Sequence, residues 1–229
     1  MAMSMAFLFW GQSSQELSSA EFQQLCATAE IIEQDAHGLK VLRLDNGDML
    51  KIFRVKRAFS SARIYSYARR FCRNADRLRK LGIPTVTPKQ LFHFSDSANS
   101  AVLYAPLQGA TLRELSRISK MEESQLISLG GFIAKLPSLG LYFRSLHFGN
   151  IVLTPDGKFG LIDVADMLIF RRALSCGRRS RNFRHVRRVS EDMRNLGSRG
   201  WEILMDGYLS HDVSTGCANK LRQKLALSA

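Results

Sequence analysis

The segment "NIVLTPDGKFGLID", from Asn150 to Asp163, constrains this chain more than any other. Two apolar runs, "IVLT" and "KFGLI", flank Pro155, Asp156 and Gly157. The proline presets its φ, the aspartate hydrogen-bonds nearby backbone and the glycine accepts a positive φ, so the trio marks a tight turn. A strand, a turn and a second strand bring the two ends of the segment together, and those ends are Asn150 and Asp163. An amide oxygen and a carboxylate in one small space suit Mg²⁺, a hard cation that takes one or two protein ligands and completes its shell with water and phosphate oxygens. Out of context, a solvent-facing hairpin with polar ends is the plainer reading.

The residues upstream supply the context. "LSSAEFQQLCATAEII" reads as a helix, with capping-box spacing between Ser18 and Glu21 and with Phe22, Leu25 and Ala29 on one side. "HGLKVLRLDNGDMLKIFR" alternates like two strands around Asn46-Gly47, a strong short hairpin signal. Gly38 lies just before the first strand, where a glycine permits close backbone approach. Lys51 sits among apolar neighbours in "MLKIF". A buried ammonium needs a compensating anion, whereas a strand-edge lysine covers its stem and keeps its charge in water. "SSARIYSYARRFCRNADRLRKLGIP" reads as a helix stopped by Gly82 and Pro84. Strands follow at "KQLFHF" and "SAVLYAPL", then helices at "TLRELSRIS" and "ESQLISLGGFIAKL". The change from a small sheet to mainly helix places a lobe boundary near Leu107.

This order resembles the protein-kinase-like fold, and especially its small bacterial members that phosphorylate lipopolysaccharide core sugars. "SLHFGNIVL" and "GLIDVAD" carry the likeness, matching that family's "HGDLHxGN" loop and "IDxxD" strand end, and the resemblance covers residues 20–210. It implies an α+β, bilobal molecule: residues 1–107 a small antiparallel sheet with one long helix, residues 108–229 a mainly helical lobe. It implies ATP and Mg as cofactors. Lys51 would hold the α- and β-phosphates, the loop at Gly38 would cover them, and Asn150 and Asp163 would hold the metal. Leu107 would offer its N–H to the adenine, because Pro106 has none.

Two departures from the family pattern stand out. Ser145 occupies the place of the catalytic aspartate, and the long helix offers Asp76 rather than a glutamate to Lys51. A positioned base is worth about 10²–10⁴-fold, while phosphoryl transfer rests mostly on positioning and charge neutralisation. Losing the aspartate would therefore slow a kinase without abolishing nucleotide binding. His147 is the nearby alternative base; the competing reading makes it a hydrogen-bonded residue beneath the loop. Arg144 is placed to meet a substrate phosphate.

Charge narrows the partners. The chain carries 33 lysines and arginines against 20 acids, a net +13. From Arg171 to Arg199 every basic side chain but His185 is arginine, whose planar fork binds phosphate bidentately, and Arg178, Arg179 and Arg181 are the candidate phosphate contacts. An anionic glycolipid or inner-membrane surface fits this tail. Nucleic acid is the third-ranked partner, without a recognition-helix or aromatic-platform signature. A nucleotide-binding pseudokinase with a regulatory or scaffolding role in envelope biogenesis is the second reading. No oligomeric state is assigned. The four cysteines have no short pairwise spacing, which argues against a zinc site or disulfide framework and for a reducing compartment. No secretory leader is read at the start, so a cytoplasmic location is expected, with peripheral attachment to the inner face of the inner membrane. Phe7 to Trp10 form either a docked chain end or a shallow membrane contact.

Overall fold

A computed structural model describes residues 14–54, 67–211 and 215–225, so the membrane-contact reading of Phe7 to Trp10 lies outside the described residues. The chain is mixed α+β and divides into two compact units, Met1–Leu107 and Gln108–Ala229.

The sheet of the first unit is built around a buried centre at Leu42, Leu50 and Ala101. Its elements are β1 (Gln15–Leu17), α1 (Ser19–Thr28), β2 (Glu30–Asp35), β3 (Gly38–Arg43), β4 (Met49–Phe53), α2 (Tyr67–Lys80), β5 (Thr87–Phe94) and β6 (Ser100–Ala105). The strand order is β1-β5-β6-β4-β3-β2, antiparallel except that β1 runs parallel to β5. Fully buried Leu42 and Leu50 oppose each other across β3 and β4, and Leu50 faces Leu103 of β6. Phe22 and Leu25 of α1 pack on that face. Phe71 of α2 meets Phe53 and Tyr104.

Local signals set the helix ends. Ser18 and Glu21 form the capping box that starts α1. Gly82, at φ 70°, ends α2: its N–H donates to Arg79 O and the next N–H, of Ile83, donates to Leu78 O, the paired bonds of a Schellman cap. One expectation is overturned. The first helix stops at Thr28, and Ile31 and Ile32 belong to β2, where Ile31 pairs with Leu42. Ala29 is already extended, and β-branched side chains suit a pleated edge strand once a partner strand is available.

The second unit contains β7 (Ala110–Thr111), α3 (Leu112–Ile118), α4 (Glu123–Ser138), β8 (Leu141–Tyr142), β9 (Ile151–Leu153), β10 (Phe159–Leu161), β11 (Leu168–Ile169), α5 (Cys176–Arg184), α6 (Ser190–Leu209) and α7 (Thr215–Leu225). Strands β7-β9-β10 form one small sheet and β8-β11 another. Helices α4 and α6 touch backbone to backbone: a Cβ on Gly130 would lie 2.3 Å from Leu204 O, and one on Gly207 would lie 2.5 Å from Ile127 O. Around this contact Leu129, Ile133, Leu204 and Tyr208 are buried.

Cys176 of α5 and Cys217 of α7 are joined in a disulfide, which corrects the expectation from cysteine spacing. They lie 41 residues apart, so only the packing of α5 against α7 pairs them. Among the described residues no helix is long and apolar enough to cross a membrane.

Candidate functional site

The β9–β10 hairpin has the expected form. Gly157 N–H donates to Thr154 O, and the Thr154 hydroxyl and main chain close on Lys158. At its open end the Ile162 N–H donates to Asn150 O at 3.1 Å, extending the ladder one step past Ile151–Leu161. Asn150, buried, enters β9 from a 3₁₀ turn over Phe148–Asn150; Asp163, exposed, leaves β10 into a 3₁₀ turn over Val164–Asp166. Asp163 is left-handed, at φ 52° and ψ 47°, the sole non-glycine with positive φ among the described residues. Aspartate tolerates that region better than most residues, and backbone strain of this kind clusters at functional sites.

The Asn150 amide is oriented. Its Nδ2 donates to Ser145 O at 2.9 Å, which turns Oδ1 to the opposite side of the amide. The donor set of Asn150 Oδ1 and the Asp163 carboxylate has the hardness and the small protein-ligand number that Mg²⁺ takes beside phosphate. Among the described residues no three His, Cys, Asp or Glu side chains gather into a metal site.

Ser145 does not present a free hydroxyl. Its Oγ donates to Asp166 Oδ2 at 2.6 Å, while Asp166 Oδ1 is buried without a partner. His147 is held from both sides. Its Nδ1 lies 3.4 Å from an Arg113 guanidinium nitrogen, and its Nε2 lies 3.4 Å from Asn150 Nδ2. The Arg113 guanidinium and the Asn150 NH2 are both donors, so a neutral ring, with one lone pair, can accept from only one of them. Both ring nitrogens face neighbouring side chains, which fits the reading of His147 as the hydrogen-bonded residue beneath the loop. Burial, then the neighbouring Arg113 charge, push its pKa below the ordinary histidine range.

Arg113 and Asp192 hold this loop from behind, and neither was singled out as a site residue in the sequence. Asp192, fully buried at the start of α6, accepts from Arg113 Nε at 2.7 Å and NH2 at 3.0 Å, and from the Phe148 N–H at 3.2 Å. The next-door Glu191 takes Arg117 at 2.6 Å. The available signal was these two acids standing alone in an arginine run: both serve α3, not the tail's own arginines.

A second histidine packs against Tyr142. His185 Nε2 lies 3.4 Å from the Tyr142 hydroxyl. Burial first, then Arg188, Arg144 and Arg184, lower its pKa, with Asp166 opposing them. The unfolded chain therefore binds this proton near pH 6.5 while the folded chain resists it. The stability gained by keeping the ring neutral is complete above about pH 6.5 and is lost as pH falls below it. Urea unfolding at pH 7.5 and 5.5 is expected to show a midpoint that drops on acidification, with a smaller drop in His185→Gln; an identical drop in that variant contradicts the assignment.

The remaining candidates lie in the first unit. Lys51 occupies β4 between Val41 and Val102, half-buried, with its ammonium 5.9 Å from the Phe53 ring centre. Gly38, at φ 111°, ends a tight turn between β2 and β3 that Arg54 grips through Asp35 at 2.8 Å and through Leu39 O. Asp76 of α2 is engaged by Arg79. Leu107 is half-buried at the unit's last residue.

The arginine tail separates by burial. Arg144, Arg178 and Arg181 are exposed, with Arg178 stacked over Phe170 at 4.5 Å. Arg179 is a correction to the phosphate-contact set. It is 8% exposed, and it donates to Leu174 O at 3.2 Å and Ser138 Oγ at 3.0 Å, so it ties α5 to α4 from inside. No protein-family model matches the chain, and no curated protein matches it.

Proposed function

We propose that the two units are the lobes of a protein-kinase-like fold, and that the chain is an ATP- and Mg²⁺-dependent phosphotransferase-like protein acting on a lipopolysaccharide core sugar. The observation that carries this reading is the hairpin end, where an oriented Asn150 amide and a left-handed, exposed Asp163 adjoin one ladder step. In this reading Asn150 and Asp163 hold the metal. Lys51 meets the α- and β-phosphates, the turn at Gly38 covers them, and the Leu107 N–H meets the adenine. The bound Mg²⁺ would neutralise phosphate charge, the dominant requirement of a loose phosphoryl-transfer transition state. Arg144, Arg178 and Arg181 are exposed cations suited to an anionic glycolipid or to the inner face of the inner membrane.

Thermal unfolding with and without Mg²⁺ and ATP tests the binding step. Ligand at about 100-fold over its Kd adds about 2.7 kcal/mol; wild type is expected to gain a stabilisation of that order, and Asp163→Ala and Lys51→Ala to lose most of it. No stabilisation of wild type by Mg²⁺–ATP defeats the reading.

A pseudokinase with a regulatory or scaffolding role is the second reading, favoured by a specific observation. The Ser145 hydroxyl donates to Asp166, and the two ring nitrogens of His147 lie against Arg113 and Asn150. Nucleotide stabilisation without transfer to extracted core oligosaccharide selects it. The nucleic-acid reading, which rests on charge alone, predicts DNA or RNA retention that falls steeply with salt.

A further inference from the structure

Ser145 stands where a kinase would place a base, yet it is built as an acceptor. The residue is partly exposed and its hydroxyl already donates to a carboxylate, the geometry that activates a serine for attack. The carboxylate is fixed, since Asp166 closes the 3₁₀ turn that begins after Asp163 and has its second oxygen buried. The serine's carbonyl is bonded to the amide that carries the metal-ligand oxygen, so acceptor and metal candidate belong to one hydrogen-bonded loop. Arg144, Arg184 and Arg188 are exposed cations. Arg144 immediately precedes Ser145, and Arg144, Arg184, Arg188 and Asp166 all act electrostatically on His185.

We propose that Ser145 is a self-phosphorylation site, taking the γ-phosphoryl group of a nucleoside triphosphate with Asp166 as its base. This rests on the nucleotide-binding reading above. Ser145 Oγ attacks the γ-phosphorus and the new O–P bond forms. The bond from the γ-phosphorus to the β,γ-bridging oxygen breaks, and the nucleoside diphosphate leaves with that electron pair. The hydroxyl proton passes to Asp166 Oδ2, its existing hydrogen-bond partner, and from there to solvent. The product carries a charge of about −1.5 to −2, and the adjoining Arg144 is its nearest cation in sequence. The modification would swap a neutral hydroxyl for a dianion in the catalytic position, closing the site to the γ-phosphate of a second nucleotide by like-charge repulsion.

Full-length protein treated with phosphatase, then incubated with Mg²⁺ and ATP, is analysed by intact mass and phosphopeptide mapping. One phosphoryl group on Ser145 is expected. The label is absent in Ser145→Ala, returns as phosphothreonine in Ser145→Thr, and forms about 10²-fold more slowly in Asp166→Asn. Each variant is first shown to keep a cooperative melting transition without nucleotide. Wild type that is stabilised by Mg²⁺–ATP but gains no phosphate at Ser145 overturns this inference and leaves the nucleotide reading standing. Absence of that stabilisation overturns both.

Discussion

Asp192→Ala is expected to destabilise the chain by about 3–5 kcal/mol, the range for removing one partner of a buried ion pair. The carboxylate is fully buried and receives three donors: Nε and NH2 of Arg113 and the backbone N–H of Phe148. Its removal strands a guanidinium whose side chain is 24% exposed and a buried backbone N–H. The loop from Ser145 to Asn150 would lose its rear support, because Arg113 also sets the His147 ring. The check is a guanidinium-chloride midpoint together with amide exchange at Phe148, which should accelerate. A double replacement, Arg113→Leu with Asp192→Leu, should recover part of the loss, since an apolar pair of similar size often matches a buried ion pair. The Phe148 N–H would stay unpaired and hold back about 1–3 kcal/mol. A cost below about 1 kcal/mol for Asp192→Ala, the level of a surface ion pair, contradicts this account.

Gly130→Ala is expected to cost about 3 kcal/mol, the upper end of ordinary overpacking. The added methyl would meet Leu204 O at 2.3 Å, Tyr208 N at 2.5 Å and Gly207 C at 2.7 Å. All three are backbone atoms, so no side chain can rotate away and α4 must separate from α6. That separation loosens the packing around Leu129, Ile133 and Tyr208 as well. The control is Gly177→Ala in α5, where nothing lies within 4 Å of the new methyl; it should change stability by no more than about 0.5 kcal/mol. Equal midpoints for the two variants would show that the helices do not approach as closely as described.

The two predictions bear on function in different ways. Asp192 acts directly on the loop that carries Ser145, His147 and Asn150, so its loss would disturb the candidate site and the fold together. Gly130 lies at a helix–helix contact with no described hydrogen bond to that loop. Its variant should lower stability while nucleotide stabilisation, measured well below the melting range, persists.

The amino-acid order by itself determined what depends on a few neighbouring residues. The turn at Pro155 to Gly157, the capping box at Ser18 and the Gly82 stop each arise from φ preferences and hydrogen bonds spanning a few positions. The approach of the hairpin's ends, where Ile162 N–H reaches Asn150 O, belongs to the same class, because a short hairpin leaves its ends nowhere else to go. Only tertiary structure decided the rest. Asp192 finds Arg113 across 79 residues, Asp166 takes the Ser145 hydroxyl across 21, and Cys176 pairs with Cys217 across 41. Ile31 and Ile32 became strand because β3 offered a partner, and Arg179 turned inward because α4 lay beneath it. A side chain's type sets what it can bond to, but which distant partner reaches it depends on how the whole chain packs, and no local pattern records that.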